Sequence, residues 1–435
     1  MATIAEVQLW GRTIGAVSLA EGGETARFAY DPAFASSRIE VAPVMMPLAP
    51  QTYSFPSLAH ESFHGLPGML ADSLPDKFGN ALIDTWLSRQ GRTPGSLNAV
   101  ERLCYTGTRG MGALEFLPTI GPDAKRSERV AVDQLVELAS RILSHREGMA
   151  TSFELSDDAN EETLRDILRV GTSAGGARAK AVIAWNPETN EVRSGQIDAD
   201  SDFEYWLLKF DGVSENRDKE LADPAGYGVI EYACHLMARA AGIAMTDCRI
   251  FEENGRRHFM TKRFDRLPGG KKLHLQSLCA MGHYDFNLAG AYGYEQAFLI
   301  MKKLDLPMAD LEELFRRMIF NLVVRNQDDH TKNVAFLMDQ TGTWRLSPAY
   351  DITYSYNPAG AWTAQHQMTV NGKRDHFTAD DLSSTAETAG LKRGRWKTLL
   401  QEVLDATSRW PDFAKQAGVP EEEAHAIAGV MRRNW

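Results

Sequence analysis

Between Leu311 and Leu322 apolar residues recur at the spacing of one helical face: Leu311, Leu314, Phe315, Met318, Ile319 and Leu322. A helix with such a stripe is stable only when the stripe is buried. The chain is therefore committed to a packed helix here, and the segment after it is delivered to a fixed place on a core. That segment is polar: Arg325-Asn326-Gln327-Asp328-Asp329-His330-Thr331-Lys332-Asn333.

Asp328 and Asn333 stand five positions apart. Kinase catalytic loops use that spacing, the Asp orienting a substrate hydroxyl and the Asn holding Mg²⁺. Leu346-Ser347-Pro348-Ala349-Tyr350-Asp351 then places a second carboxylate after a short apolar strand. Mg²⁺ takes one or two carboxylates plus phosphate oxygens, so the order Asp328, Asn333, Asp351 fits phosphoryl transfer. Taken singly, Asp and Asn after a helix are as well explained by turns and caps.

Upstream, Gly171-Thr172-Ser173-Ala174-Gly175-Gly176-Ala177-Arg178-Ala179-Lys180 combines small residues, which let backbone N–H groups approach phosphate, with two cations. Gly176 is followed by Ala177 instead of Lys, which disfavours a P-loop NTPase. Lys209 lies inside the apolar strand Tyr205-Trp206-Leu207-Leu208-Lys209-Phe210. Kinases set such a Lys against ATP phosphates and pair it with a helix Glu; Glu231 is the candidate partner. The alternative for Lys209 is a side chain snorkelling at a sheet edge.

The surrounding pattern is α+β. Residues 1–45 are β-rich, with a hairpin expected around Gly11-Arg12. Leu70, Leu74, Phe78, Leu82 and Trp86 predict a helix within 66–90. A polar stretch at 121–130 marks a boundary. Strands are expected at Arg178–Trp185, Glu204–Phe210, Cys248–Glu252 and Arg257–Thr261, the last two joined across Asn254-Gly255. Gly228–Ala241 reads as a helix, and the pattern from about 295 onward is mostly helical. The expected division is 1–120, 121–265 and 266–435.

The chain has 435 residues, and 47 Lys plus Arg against 58 Asp plus Glu give a net charge of −11. That balance argues against a broad nucleic-acid or membrane-surface footprint. Cys104, Cys234, Cys248 and Cys279 form no C-x-x-C pair and read as reduced, buried thiols of a cytoplasmic protein. Neither a signal peptide nor a membrane span is expected.

His60-Glu61-Ser62-Phe63-His64 matches the H-E-x-x-H zinc-peptidase signature. That chemistry needs both His on one face of a continuing helix and a third ligand. Gly65 and Pro67 come at once and end helices, so a chance match is favoured over a zinc metallopeptidase.

Five segments in order resemble HipA-family kinases: Ser173 to Lys180, Leu207-Leu208-Lys209-Phe210, Lys262-Arg263-Phe264-Asp265-Arg266, Asp328 to Asn333, and Pro348-Ala349-Tyr350-Asp351. Asp72-Ser73-Leu74-Pro75-Asp76 is similar to a motif of that family's N-terminal subdomain. The resemblance implies a bilobal protein-kinase-like fold, with an N-terminal β-rich subdomain and a helical C-lobe. It implies an ATP- and Mg²⁺-dependent serine/threonine protein kinase that is the toxin of a toxin–antitoxin pair. Such a toxin modifies a translation component such as an aminoacyl-tRNA synthetase, phosphorylates itself, and pairs with a helix-turn-helix antitoxin that binds DNA. By residue, Asp328 is the implied base, with its neighbour Asp329 the alternative, and Asn333 and Asp351 are the metal ligands. Lys209 contacts phosphate, and the loop Gly175, Gly176, Ala177, Arg178, Ala179, Lys180 covers it. The backbone of Lys262, Arg263 and Phe264 reads adenine, although the family's hinge often carries Glu where this chain has Lys262. His330, Thr331, Lys332 and Tyr350 line the nucleotide pocket, and Ser173 is the autophosphorylated serine. The competing non-enzymatic reading is a kinase-fold binding module without catalysis.

Overall fold

Alternating burial along Thr3–Leu9 (β1) and Arg12–Leu19 (β2) builds the first hairpin: Ala5, Val7 and Leu9 face the core with Ile14, Val17 and Leu19. The pairing Leu9↔Arg12 puts the turn at Trp10-Gly11, one residue earlier than expected, and both turn residues have positive φ (51° and 73°). Trp10 is anchored in that conformation by donating from Nε1 to the Lys272 carbonyl at 2.7 Å. Arg27–Tyr30 (β3), Thr52–Tyr53 (β4) and Leu114–Leu117 (β5) complete a sheet of order β4-β3-β2-β1-β5 among the described residues. The computed structural model describes residues 3–120, 129–144, 168, 179–196, 199–213 and 226–435.

The expected helix within 66–90 is two helices, Gly68–Ala71 and Lys77–Arg89. Pro75 cannot continue a helix, and Asp76 starts the next by accepting from the Gly79 N–H at 2.7 Å. A second sheet is made of Lys180–Trp185 (β6), Val192–Ser194 (β7), Glu204–Lys209 (β8), Cys248–Glu253 (β9) and Arg256–Lys262 (β10), in the order β7-β6-β8-β10-β9. The β9–β10 turn is the expected Asn254-Gly255, both residues at positive φ (45° and 77°). Leu82, Ile83 and Leu87 of the Lys77–Arg89 helix share a buried core with Ala181 and Ile183 of β6, Trp206 and Leu208 of β8, and Met260 of β10.

Beyond β10 a buried ionic cluster joins two distant stretches. The Asp265 carboxylate, fully buried, accepts from Arg263 at 2.9 and 2.7 Å, from Arg266 at 2.8 Å and from the Gly112 N–H at 2.7 Å. Arg266 also donates to the carbonyls of Gly110 and Gly112, each at 2.9 Å. Burial alone would raise the Asp265 pKa, but the two guanidiniums and these hydrogen bonds outweigh it and hold the carboxyl far below the usual range.

These elements belong to one compact unit, Met1–Ile39, Leu48–Gly228 and Arg249–Leu275. A second unit comprises Glu40–Pro47, Val229–Cys248 and Gln276–Trp435. In it the Met308–Val324 helix packs against Ala379–Ala389 and Arg395–Ser408. All six residues of its predicted stripe are at most 2% exposed. Most of the Tyr227–Ala240 helix, expected at 228–241, also belongs here. The mostly helical pattern expected after 295 is interrupted. The end of β11 (His274–Ser277), Ala335–Met338 (β12) and Trp344–Leu346 (β13) form a small sheet. Residues 347–378 contain no helix, in keeping with Ser347-Pro348, Asn357-Pro358 and Asn371-Gly372. The four cysteines are free and buried, and no helix among the described residues is long and apolar enough to cross a membrane.

Candidate active site

The Met308–Val324 helix ends at Arg325, which takes the left-handed cap conformation (φ 57°, ψ 47°) that glycine usually fills. Its guanidinium offsets the strain, lying 4.3 Å from the Tyr356 ring centroid while Nε donates to the Val430 carbonyl at 2.6 Å. The chain then runs beside the segment after Asp351. Gln327 N–H bonds the Ser355 carbonyl and Ser355 N–H the Arg325 carbonyl, each at 3.1 Å. Asn326 is buried and donates from Nδ2 to Asn321 Oδ1 (3.0 Å) and to the Asp351 carbonyl (3.2 Å). The catalytic-loop candidate and the second carboxylate are thus laced together by backbone and amide hydrogen bonds.

The two adjacent aspartates have opposite surroundings. Asp329 is 2% exposed, and its carboxylate is fully engaged: Oδ2 bonds the Tyr294 hydroxyl and His366 Nδ1, both at 2.9 Å, and Oδ1 accepts the Gln367 N–H at 2.8 Å. Asp328 is half-buried, and its Oδ1 accepts from the Trp362 indole N–H at 2.6 Å. A carboxylate that must meet a substrate hydroxyl needs access, so the geometry favours Asp328 over Asp329.

Asn333 donates from Nδ2 to the Asp328 backbone carbonyl at 2.8 Å, which leaves Oδ1 as the atom a cation would use. Asp351 is half-buried and, like Arg325, has a left-handed backbone (φ 52°). One amide oxygen and one carboxylate form a hard-oxygen set that suits Mg²⁺ completing its shell with phosphate and water. The Lys332 ammonium lies 4.4 Å from the Phe286 ring centroid, and the His330 ring meets the same phenyl edge-on at 5.7 Å. Thr331 donates to the Tyr284 carbonyl at 2.8 Å, and the Tyr350 hydroxyl bonds the Lys332 carbonyl. Seven predicted residues, Asp328, His330, Thr331, Lys332, Asn333, Tyr350 and Asp351, therefore lie in two connected stretches of the second unit, and Glu231 is buried on its Tyr227–Ala240 helix.

The first unit holds the rest. Lys180 and Lys209 are cross-strand partners on β6 and β8. The loop expected to run to Lys180 ends before it: Lys180 is a strand residue, 2% exposed, with its ammonium 3.6 Å from the Asp76 carboxylate. Lys209 lies 5.6 Å from the Phe259 ring centroid. At the expected adenine-reading segment, Lys262 pairs with Glu204, and the Arg263 N–H is already donated to the Tyr205 carbonyl at 2.9 Å. The Arg263 side chain bonds Asp265, and Phe264 comes just after the end of β10. Ser173, Gly175, Gly176, Ala177 and Arg178 lie outside the described residues; Ala179 is buried and immediately precedes β6.

Several residues that shape the site carry no local sequence signal. Trp362, His366 and Gln367 reach the loop from more than thirty positions downstream. Asp76 is legible only as part of the Asp72–Asp76 motif. At the zinc signature, His60–Phe63 is a single turn closed by His64 in the left-handed conformation, so no continuing helix presents both histidines on one face.

Residues 172–432 match the family described as "HipA-like C-terminal domain", and residues 5–117 match "HipA N-terminal domain". Two Sinorhizobium fredii proteins named "Putative kinase Y4mE" and "Putative kinase Y4dM" are 27% and 25% identical over 40% and 43% of the chain. A Haemophilus influenzae protein named "Putative kinase" is 23% identical over 40% of the chain. The aligned stretches span 44%, 46% and 58% of those relatives, about half their length. The fold matches that of a Shewanella oneidensis structure described as a toxin–antitoxin system of HipA, HipB and operator DNA. The TM-score is 0.65 at 18% identity, covering 98% of this chain and 94% of the other. With residues 172–432, more than half of its length, and residues 5–117 both matched by domains of one family, the chain belongs to the HipA family.

Proposed function

We propose that the protein is an ATP-dependent protein kinase acting on serine or threonine hydroxyls. The observation that carries this reading is the contrast between half-buried Asp328, whose backbone carbonyl accepts from Asn333 Nδ2, and the locked Asp329. Asp328 accepts a hydrogen bond from the substrate hydroxyl and takes its proton as the oxygen bonds to the γ-phosphorus, while the bond from that phosphorus to the β,γ-bridging oxygen breaks and ADP leaves. The Trp362 indole fixes one carboxylate oxygen, so the other is the one aimed at the hydroxyl. Mg²⁺, held by Asn333 and Asp351, would offset charge on the phosphates. Lys209 contacts phosphate and Ser173 receives it in self-modification.

Two proposals rest on family membership. The substrate is a translation component such as an aminoacyl-tRNA synthetase. The partner is a DNA-binding helix-turn-helix antitoxin, in line with the HipB and operator DNA of the Shewanella oneidensis complex.

Incubation of the purified protein with labelled ATP and Mg²⁺ in a cell lysate, with identification of the labelled polypeptide, tests the kinase and its substrate together. Label on no polypeptide, including the protein itself, would favour a binding module without catalysis. Phosphate on the protein itself is expected at Ser173 by mass spectrometry, with lower ATP affinity in the modified form, because phosphoserine adds about −1.5 to −2 charges beside the loop. Modified protein that uses ATP as well as unmodified protein would remove the switching role.

Asn333→Ala and Asp351→Asn are each expected to weaken Mg²⁺-dependent nucleotide binding by at least about tenfold, with Mg²⁺-free binding little changed. Titration with and without Mg²⁺ measures it. Wild-type affinity in both variants means that these side chains hold no metal.

A further inference from the structure

Arg432, near the end of the chain, sits in a built network. Its N–H donates to the Val323 carbonyl at 2.9 Å and Nη1 to the Leu322 carbonyl at 2.8 Å, which ties it to the last turn of the helix before the catalytic loop. Nη2 donates to Asp375 at 2.6 Å, and Nη1 also lies 3.0 Å from His366 Nε2. A guanidinium only donates. His366 Nε2 must therefore be the acceptor, so Nδ1 carries the proton and donates it to Asp329 Oδ2 at 2.9 Å. The His366 and Asp329 side chains are at most 1% exposed, so no water competes for these bonds. From Asp329 the network continues through the Tyr294 hydroxyl to Asn321 (3.1 Å), and through Asn326 to the Asp351 carbonyl.

We infer that Arg432 is a positioning residue for the proposed phosphate transfer. By fixing the tautomer of His366 it locks the Asp329 carboxylate, and Asp329 is peptide-bonded to Asp328. Arg432 thereby sets the aim of the Asp328 carboxylate without touching substrate. This rests on the reading of Asp328 as the base.

The test compares wild type, R432A and R432K by steady-state kinetics and by amide hydrogen exchange across 326–333. R432A is expected to lose about 10- to 100-fold in kcat, since small misplacements of a catalytic group have costs of that order. Its KM for ATP should stay unchanged, and exchange around Asp328 and Asp329 should speed up. R432K, whose ammonium still donates to Nε2, should recover most of both. Wild-type kcat and exchange in R432A would overturn the inference. So would a loss confined to KM, or one that R432K does not repair. If R432A does not fold, R432M, which keeps an apolar stem and removes the donors to His366 Nε2 and Asp375, carries the same comparison: slower turnover with faster exchange supports the inference, and wild-type values overturn it. Exchange is read without substrate. A wild-type protein that transfers no phosphate would therefore refute the kinase reading, while the exchange data alone would still decide whether Arg432 locks the loop.

Discussion

Asp328→Ala is expected to lower phosphate transfer by about 10²- to 10⁴-fold, the usual contribution of a positioned acid or base, while leaving thermal stability near wild type. The side chain is half-buried, and the partner it releases, the Trp362 indole N–H, lies at a partly open position where water can replace it. Asp329→Ala should fail differently. It leaves the buried Tyr294 hydroxyl, the His366 ring and the Gln367 N–H without their shared acceptor. Each stranded buried group costs about 1–3 kcal/mol, so the loss appears first in stability. Melting curves alongside kcat separate the two. An Asp329→Ala protein that melts like wild type and is inactive, with Asp328→Ala still active, would move the base to Asp329.

Asp265→Ala is expected to destabilise the first unit by about 3–5 kcal/mol, the range for removing one partner of a buried ion pair. Arg263 would be left buried without its bidentate partner, and the Gly112 N–H would lose its acceptor. Arg266 would keep its two glycine carbonyls, which moves the expected loss toward the lower end of that range. The pH dependence is set by the sign of the shift. Because the folded pKa lies below the unfolded one, near 3.9, Asp265 contributes its full stabilisation above that value, and the contribution is lost progressively as pH falls below it. Denaturant titration measures the effect. A change under about 1 kcal/mol would mean that the cluster is held by its neighbours instead of by its charge pairing.

How much the sequence made legible tracks how local each determinant is. The Met308–Val324 helix and the Asn254-Gly255 hairpin arise from periodicity and turn chemistry within a few residues, and both stand where expected. The spacing of Asp328 and Asn333 is enough to nominate the loop. Which aspartate faces solvent is not legible, because the burial of Asp329 is made by Tyr294, His366 and Gln367, at separations of 35, 37 and 38 residues. The edge strand β5 joins β1 from more than a hundred residues away, as Val7↔Phe116 shows, and no short window carries that pairing. Two departures from expectation have local causes. Pro75 sits inside the stretch whose periodicity predicts one helix, and breaks it. The first hairpin turns at Trp10-Gly11, where an aromatic residue occupies a left-handed position that propensity disfavours and a distant carbonyl stabilises.

Phosphoamino-acid analysis decides whether this chain transfers phosphate from ATP to a serine or threonine through Asp328. Wild type and Asp328→Ala are incubated in parallel with γ-labelled ATP, Mg²⁺ and a cell lysate freed of ATP, and the acid hydrolysates are resolved. Labelled phosphoserine or phosphothreonine is expected with wild type and none above background with Asp328→Ala. Equal label from both proteins, or label on neither, would contradict it.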